Sequence, residues 1–405
     1  MRAYLRADGR KGIRNVVVIA YLVECAQHVA HDVWWPYREQ GAHLIGFGGC
    51  YPNAYSFRMM SQLCRHPNVG AVLLVSLGCE SFDRTGLARL IRESGRSVET
   101  LVIQDQGGTR PSIEAGRSWI EQTLAALKNA PRAEMTIDEL VVGTICGGSD
   151  ATSGITANPA TGRAFDLLVD AGATTIFEET GELIGCEHIM AARANRPELA
   201  PELIACVQKA ARHYTTLGHG SFAVGNATGG LTTVEEKSMG AYSKSGRSPI
   251  TGIIKPGDVP PTGGLYLLDV VPDGDVRFGF ANINDTAEIG ELIACGSHVI
   301  LFTTGRGSVV GSAISPVIKI CANPETYRRM TEDMDIDAGR ILNGDADLDT
   351  VGREIFDRVL STAAGEPTAS ERLGHQEFAM TYKTFEPLGP ACLPSSPAFE
   401  GERRP

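Results

Sequence analysis

Three cysteines stand where an apolar stretch gives way to glycine, and thiols in such positions could bind a soft metal. Cys50 ends Ile-Gly-Phe-Gly-Gly-Cys, Cys79 ends Val-Ser-Leu-Gly-Cys, and Cys146 ends Val-Gly-Thr-Ile-Cys. If these stretches are parallel strands, their carboxyl ends share one edge of a sheet, where ligands bind. Thiolates suit iron or an iron–sulfur cluster, and the spacing fits another divalent metal such as zinc equally well. We therefore expect iron, as Fe²⁺ or a cluster, on these three thiols, with three buried packing cysteines as the alternative.

Three segments rich in glycine and hydroxyl side chains indicate a site for a small anion. One follows Cys146, one surrounds Arg306, and one contains Lys237, with Lys244 a turn or two later. Backbone N–H groups can approach an oxyanion closely at glycine-rich turns, and a guanidinium can grip a carboxylate with two hydrogen bonds. Ordinary turns and helix caps are the competing interpretation. The candidate substrate-binding residues are Ser149, Asp150, Ser153, Asn158, Thr304, Arg306 and Lys319.

Several charged side chains could transfer protons. Glu80 follows Cys79 directly, and together with Lys237 and Lys244 it is a candidate catalytic base, with no ground in the sequence to choose among the three. Carboxylates that follow a strand are also natural metal ligands. Two acidic runs could therefore bind a metal or transfer protons, and the alternative is that they lie in a solvated loop or on a helix surface. The first run contains Glu178, Glu179, Glu182 and Glu187, and the second contains Asp333, Asp335 and Asp337.

Composition excludes some classes of protein. The 405 residues include 37 basic and 48 acidic side chains, a net charge of −11, which argues against a nucleic-acid or anionic membrane surface. There is no apolar leader and no membrane-spanning apolar run, so we expect a cytoplasmic protein with reduced thiols. No G-x-G-x-x-G or P-loop pattern supports a nucleotide cofactor.

The pattern of elements predicts an α/β fold. Short aliphatic and β-branched runs alternate with stretches of helical period, which is typical of parallel sheets covered on both faces. We predict a Rossmann-like or flavodoxin-like parallel-sheet domain over residues 1–132, with Cys50 and Cys79 at its strand ends. A second, catalytic α/β region should span 133–386, with a subdivision near residue 255, followed by a C-terminal tail at 387–405.

Several motifs resemble the altronate/galactarate dehydratase family, which includes the large subunit of sulfolactate sulfo-lyase. They are Arg65-His-Pro-Asn, Leu77-Gly-Cys-Glu80, Cys146-Gly-Gly-Ser-Asp-x-x-Ser-Gly-Ile-Thr-Ala-Asn-Pro159, Gly229-Gly-Leu-Thr-Thr-x-Glu-Glu-Lys-Ser238 and Thr303-Thr-Gly-Arg-Gly307. The resemblance extends from Arg6 to about Tyr382. It departs from the family at Val224-Gly-Asn-Ala227, where a lysine is usual, and at Phe47, where the family often has histidine.

The resemblance implies a lyase that uses a divalent metal, usually iron. It would eliminate a group from C3 of a small 2-hydroxy or 2,3-dihydroxy acid to give a 2-keto acid. Loss of water would make the protein a dehydratase, and loss of sulfite from 3-sulfolactate is the alternative. A non-catalytic metal- or carboxylate-binding protein is the alternative from another class. Many family members carry a small β-rich domain before this region, so we expect a separate small subunit here, in a hetero- or homo-oligomer.

Overall fold

The computed structural model describes residues 1–218, 224–273 and 284–383, which form three β-sheets (the smallest in the order β2-β1-β7) and the helices that accompany them. Its strands are β1 (Arg2–Leu5), β2 (Lys11–Gly12), β3 (Val16–Tyr21), β4 (Ala42–Gly46), β5 (Val69–Ser76), β6 (Ser97–Val102), β7 (Arg132–Glu134), β8 (Val141–Cys146), β9 (Thr174–Phe177), β10 (Ile250–Ile254), β11 (Gly264–Leu268), β12 (Val299–Thr304), β13 (Val317–Cys321) and β14 (Ile336–Asp337). Its α-helices are α1 (Gln27–Trp34), α2 (Ala54–Cys64), α3 (Arg84–Glu93), α4 (Thr109–Leu127), α5 (Ala157–Asp170), α6 (Glu187–Ala191), α7 (Leu199–Leu217), α8 (Gly225–Thr228), α9 (Val234–Ser243), α10 (Asp285–Ala294), α11 (Pro324–Arg329), α12 (Arg340–Asn343), α13 (Leu348–Ala363) and α14 (Ala369–Arg372).

The first sheet contains four parallel strands in the order β4-β3-β5-β6. Every residue of β5 is buried, as are five of the six residues of β3. Continuous apolar runs of this kind form strands that are covered on both faces, here by the helices that connect them. The predicted parallel-sheet domain is confirmed in its α/β character.

The second sheet contains seven parallel strands in the order β10-β11-β9-β8-β12-β13-β14. β8 lies between β9 and β12, with Cys146 opposite Thr303 and Thr144 opposite Phe177. Since neighbouring parallel strands end at the same edge, the residues that follow β8, β9 and β12 meet there. This edge carries the candidate active site.

The two sheets share one apolar core. Val72 and Leu74 of the first sheet belong to the same buried cluster as Ile145 and Ile300 of the second. The predicted boundary at residues 132–133 falls in β7, which pairs with β1. The strands on either side of residue 255, β10 and β11, pair with each other, and residues 384–405, which include the predicted tail, lie outside the described residues.

Within the described ranges, no helix combines the length and the apolar character needed to cross a membrane.

Candidate active site

Cys146 ends β8, and its thiol lies at the centre of a buried polar cluster. Its Sγ lies 3.2 Å from a carboxylate oxygen of Glu179 and 3.4 Å from one of Glu182. The Lys237 ammonium lies 3.3 Å from the same sulfur. We call the following residues the Cys146 cluster: Cys146, Ser149, Glu179, Glu182, Lys237 and Lys244.

Glu179 and Glu182 reach the thiol because the chain turns sharply after β9. Glu179 has φ 72° and ψ 46°, and no other non-glycine residue in the described ranges has a positive φ. This left-handed conformation costs about 1–2 kcal/mol in an L-residue. It is held by the hydrogen bond that the Cys146 backbone N–H donates to the Glu179 carboxylate at 3.2 Å. A strained backbone at a buried polar cluster is typical of functional sites.

The lysines come from α9 and the residue that follows it. A capping box starts the helix, in which Thr233 and Glu236 satisfy each other's backbone N–H groups. Lys237 then points into the cluster, where it pairs with Glu182 at 2.7 Å and donates to Ser149 Oγ at 2.9 Å. Lys244 is ion-paired with Glu179 and fully buried.

The charges of the cluster fix its protonation. Burial raises the pKa of the Cys146 thiol to about 12, and the negative charges of Glu179 and Glu182 add to this effect. Burial alone would lower the pKa of Lys237, but its interactions with the Cys146 sulfur and with the Glu182 carboxylate outweigh burial and raise that pKa. The pKa of Lys244 is raised for the corresponding reason, with Glu179 as its ion-pair partner. At neutral pH the unliganded cluster therefore holds a thiol and two ammonium groups.

The same cluster contains a candidate metal site. Among the described residues, one group of His, Cys, Asp or Glu side chains brings at least three ligand atoms within 4.8 Å of one another, and it consists of Cys146, Glu179 and Glu182. One sulfur and two carboxylate ligands suit a borderline divalent metal such as Fe²⁺ or Zn²⁺. The residues present therefore fit a metal, although their charges are already balanced by two lysines.

Cys50 and Cys79 are not part of this group. They follow β4 and β5 of the first sheet, where both side chains are exposed. The sequence-based expectation grouped them with Cys146 because all three follow apolar strands. The structure places these strands in two different sheets, and the carboxylates that lie at the Cys146 thiol come from the turn after β9.

Two further predicted site residues make their contacts elsewhere. Glu80 closes the turn after β5, where it accepts hydrogen bonds from the Ser76 hydroxyl and, at 2.9 Å, from the Gly78 N–H. Lys319 is buried on β13, with its ammonium 3.4 Å from His375 Nδ1, and burial lowers its pKa. These contacts are made with residues outside the Cys146 cluster.

Arg306 lines a cavity of about 550 Å³ on the other side of the loop that follows Cys146. The Gly148 carbonyl accepts the Arg306 N–H at 2.9 Å and the Gly305 N–H at 3.2 Å, and these two hydrogen bonds join the two glycine-rich loops. The Arg306 guanidinium donates to the Gly225 carbonyl. The cavity is lined by Asp150, Gly229, Gly305, Arg306, Asn323, Thr326, Arg329 and Met330.

The remaining predicted ligands organise this loop. Asp150 accepts the Thr152 N–H at 2.9 Å and the Asn323 amide at 2.9 Å, while Ser153 Oγ accepts the Asp150 N–H at 3.0 Å. Asn158 donates to the Gly240 carbonyl at 3.0 Å, which ties α5 to α9. The Asp150 carboxylate is thus occupied by hydrogen bonds inside the loop.

Arg329 also lines the cavity, and sequence reasoning missed it. It ends α11, a short helix far from the glycine-rich motifs, and only the fold brings it opposite Arg306. Two guanidinium groups against the single carboxylate of Asp150 give the cavity lining a net positive charge, which suits an anion.

A second set of buried acidic side chains lies next to the Cys146 cluster. Glu291 of α10 binds the Lys383 ammonium at 2.8 Å and accepts the Tyr55 hydroxyl at 2.6 Å. Glu178, which directly follows β9, has no hydrogen-bond partner for either carboxylate oxygen among the described residues. Burial raises the pKa of both Glu178 and Glu288 well above the ordinary value. The sequence gives little indication that these acidic side chains lie together, because the other residues of α10 have the pattern of an apolar core helix.

The fold and the site define a class of α/β enzymes with an acid–base cluster at the carboxyl edge of a parallel sheet. Residues 137–385 match the family model described as D-galactarate/Altronate dehydratase, C-terminal, and residues 3–128 match D-galactarate dehydratase/Altronate hydrolase, second domain. The chain therefore belongs to the galactarate/altronate dehydratase family, a family of lyases, and the resemblance seen in its motifs is confirmed.

Three curated relatives show how the similarity is distributed. The (2R)-sulfolactate sulfo-lyase subunit beta of Chromohalobacter salexigens is 34% identical, over 93% of this chain and 96% of its own length. The altronate dehydratase of Escherichia coli is 29% identical, over 94% of this chain and 77% of its own. The galactarate dehydratase (L-threo-forming) of Escherichia coli is 33% identical, over 80% of this chain and 62% of its own.

Proposed function

We propose that this chain is a metal-dependent lyase that acts on a small 2-hydroxy or 2,3-dihydroxy carboxylic acid. It removes the C2 proton and expels a group from C3, and the resulting enol becomes a 2-keto acid. The observation that carries this proposal is the Cys146 cluster itself, in which a lysine, two carboxylates and a thiol are buried together beside a cationic cavity. The membership in a lyase family supports the same reaction class.

Cys146, Glu179 and Glu182 would hold the metal, which as a Lewis acid would stabilise the negative charge that forms on the substrate carboxylate and 2-hydroxyl. The positive charge of the metal beside the two lysines would favour their neutral amine forms, because like charges repel. Lys237 then becomes able to accept a proton. The thiol of Cys146 must lose its proton when it acts as a ligand.

Lys237 is the candidate base, and the contacts around it favour it over Glu80. Its Nζ lies between Ser149 Oγ at 2.9 Å and a Glu182 oxygen at 2.7 Å, so its position is fixed. It would take the C2 proton and, as the ammonium, return it to the hydroxide that leaves C3, which departs as water. Lys244 would orient Glu179 through their ion pair. Of the three candidate catalytic residues, Lys237 and Lys244 would thus act in the reaction, and Glu80 would stabilise the turn after β5.

Arg306 would bind the substrate carboxylate, since it lines the cavity beside the Cys146 loop and its guanidinium is exposed. Arg329 in the same cavity offers a second cationic contact. This second guanidinium favours a substrate with two anionic groups. The observation supports the second candidate function, release of sulfite from 3-sulfolactate, because that substrate carries a sulfonate as well as a carboxylate.

A separate small subunit would cover this face of the molecule. Six large apolar side chains are exposed on the segments around the cavity and the Cys146 cluster: Ile155, Ile189, Val224, Val234, Met239 and Val309. Val224, the most exposed, is 87% accessible and precedes the Gly225 that binds Arg306. Grouped exposed apolar residues indicate a protein interface. The name of the sulfo-lyase relative, a beta subunit, supports a partner chain.

A panel assay tests the proposed function. Anaerobically purified protein, supplied with Fe²⁺ and the co-expressed small subunit, is incubated with aldonates, aldarates and 3-sulfolactate, and 2-keto acid and sulfite are measured. We expect keto acid from at least one compound, with sulfite if that compound is sulfolactate. Lys237→Met serves as the matched inactive variant. Equal product formation by the variant would contradict the assignment of the base.

A further inference from the structure

A second cavity, of about 740 Å³, lies at the amino ends of strands from both large sheets, and we call it the amino-edge cavity. Val16 begins β3, Gly41 precedes β4 and Pro316 precedes β13, and all three residues line it. Cys146 and Thr304 end their strands at the opposite, carboxyl edge of the second sheet, so the cavity is separate from the candidate active site. Small-molecule sites commonly have about 300–1,000 Å³, so this volume suits a metabolite.

The lining of the amino-edge cavity has one positive charge in excess, because it contains three arginines and two glutamates. Arg14 is ion-paired with Glu371 at 2.6 Å. Arg38 is ion-paired with Glu39 at 2.9 Å. Arg372 has no ion pair among the described residues, and one of its guanidinium nitrogens donates to a backbone carbonyl at 2.8 Å. Its guanidinium can therefore bind an anion without breaking an ion pair.

A buried ammonium lies behind the wall of this cavity. Lys319 is 0% exposed, and its Nζ lies 3.4 Å from Nδ1 of His375, which lines the cavity. Asp335, which accepts the Lys319 backbone N–H at 3.0 Å, is ion-paired with Arg358 at 2.9 Å. Among the described residues, no carboxylate lies within ion-pair distance of the Lys319 ammonium. A buried charge with only an imidazole partner is costly, so a nearby anion would stabilise it.

The contacts of two histidines determine which hydrogen-bonding groups they offer. An ammonium can only donate, so Lys319 makes Nδ1 of His375 an acceptor and leaves the hydrogen on Nε2. His43 Nδ1 contacts the Ala313 carbonyl, which can only accept, so this nitrogen carries the hydrogen and Nε2 is an acceptor. The lining therefore offers a donor to an oxyanion at His375 and an acceptor to a hydroxyl at His43.

We propose that the amino-edge cavity binds a small hydroxylated oxyanion, such as a hydroxy acid or a phosphorylated polyol, on Arg372 and His375. The oxyanion would accept hydrogen bonds from the guanidinium and from His375 Nε2, and a hydroxyl of the ligand would donate to His43. Its negative charge would supply the counter-charge that Lys319 lacks. The inference does not rest on the proposed reaction, so the two can fail or succeed independently.

One loop links this cavity to the candidate active site. The segment between β12 and β13 carries Arg306 near its start, and its residue Ser312 lines the amino-edge cavity. The Gly311 N–H donates to Glu377 at 2.8 Å, and a Cβ atom at Gly311 would come within 2.5 Å of the His375 carbonyl oxygen. Because the loop packs this closely on residues 375–377, an anion held by His375 should stabilise the loop as well.

Hydrogen–deuterium exchange followed by mass spectrometry tests the site without any assay of activity. The probes are glycerate and glycerol 3-phosphate, with inorganic phosphate as an oxyanion that lacks a carbon-bound hydroxyl. At least one hydroxylated probe should slow exchange in residues 308–316 and 371–377, and at lower concentration than inorganic phosphate does. The dependence of this protection on probe concentration gives the affinity at this cavity.

Arg372→Gln and Lys319→Met should each bind the probe at least about tenfold more weakly, because each removes a positive charge at or behind the cavity wall. Arg92→Gln is the matched control, since Arg92 is also exposed but lies on α3 and does not line the cavity. It should bind like wild type. Lys319→Met exchanges a buried charge for an apolar chain of similar length and should fold. If circular dichroism shows that it does not, the exposed Arg372→Gln alone decides the question.

Three results would overturn the proposal. One is the absence of protection at 371–377 with every probe up to about 10 mM, well above the millimolar affinity of a weak specific site. Another is protection confined to residues 147–153 and 303–307, which would place the probe at the candidate active site. The third is unchanged affinity in the folded variants Arg372→Gln and Lys319→Met.

Discussion

The ion pair between Lys244 and Glu179 allows a quantitative test of how the Cys146 cluster is held. The lysine side chain is 1% exposed and the glutamate side chain 6% exposed, so water cannot replace either partner. Lys244→Met keeps the length of the side chain and removes its charge. Among the described residues, the Cys146 N–H and thiol then remain as hydrogen-bond donors to the buried Glu179 carboxylate.

Removal of one partner from a buried pair costs about 3–5 kcal/mol. Because the two contacts from Cys146 remain, we expect the lower end of this range, about 3 kcal/mol, for Lys244→Met. Glu179→Gln leaves the lysine uncompensated and should cost a similar amount. The double variant contains no unpaired charge, so its loss should be at least about 2 kcal/mol smaller than the sum of the two single losses, as coupled residues in contact show.

Urea unfolding followed by far-ultraviolet circular dichroism measures these differences. Tryptophan fluorescence is unsuitable, since all three tryptophans, Trp34, Trp35 and Trp119, lie in the first 132 residues and report on the first sheet. Lys128→Met is the matched control, because Lys128 is exposed and its loss should change stability by no more than about 0.5 kcal/mol. Additive losses in the double variant, within about 0.5 kcal/mol, would refute the ion pair as described.

Four further predictions follow from single features. Arg306→Lys keeps the positive charge but loses the two parallel hydrogen bonds of the guanidinium, so kcat/KM should fall by an amount equivalent to a loss of about 1–3 kcal/mol of transition-state stabilisation. An unchanged kcat/KM would count against this contact with the substrate carboxylate. Iodoacetamide at pH 8 should label exposed Cys25, Cys50 and Cys79 in the native protein but spare Cys146, whose burial raises its pKa to about 12; mass spectrometry that finds Cys146 labelled first would contradict the structure. His298 accepts the Val141 N–H, and burial lowers its pKa to about 4, so as the pH falls the unfolded chain binds a proton on this histidine before the folded chain does. The free energy of unfolding should therefore drop by up to about 3 kcal/mol from pH 6.5 to pH 4, and it should drop less steeply in His298→Gln. The same dependence of unfolding free energy on pH in both proteins would refute this. Val224→Asp should weaken co-purification of the proposed small subunit, whereas Val259→Asp, at an exposed valine outside the six apolar residues of the proposed interface, should not; equal recovery from both variants would exclude those six residues as the interface.

The sequence predicted well what depends on local pattern. The buried runs of β3, β5 and β8 identified parallel strands, and the glycines that follow β5 and β8 marked the carboxyl ends of those two strands. The Cys146 loop could be recognised for the same reason. Its neighbour Lys237 was found through hydroxyl- and glycine-rich composition, and the structure places its ammonium 3.3 Å from the Cys146 sulfur.

What the sequence could not predict depends on which strands share a sheet. The residues before Cys79 and before Cys146 are similarly apolar, and no local signal shows that β5 and β8 belong to different sheets. Glu179 and Glu182 were seen as an acidic run, but only the left-handed turn at Glu179 directs them toward the thiol. Arg329 and Glu291 enter the site region from helices that are distant in sequence, so their roles are purely tertiary.

Loss of the C2 proton is the most direct test of the proposed elimination. This chain, supplied with Fe²⁺ and the proposed small subunit, is given the hydroxy acid that the panel assay identifies as its substrate, with deuterium at C2, and mass spectrometry follows the label in substrate and product. We expect 2-keto acid formed with release of the C2 deuterium in wild type, and neither event in folded Lys237→Met. Product that forms without loss of the C2 label, or label loss that continues unchanged in Lys237→Met, would contradict elimination by this cluster.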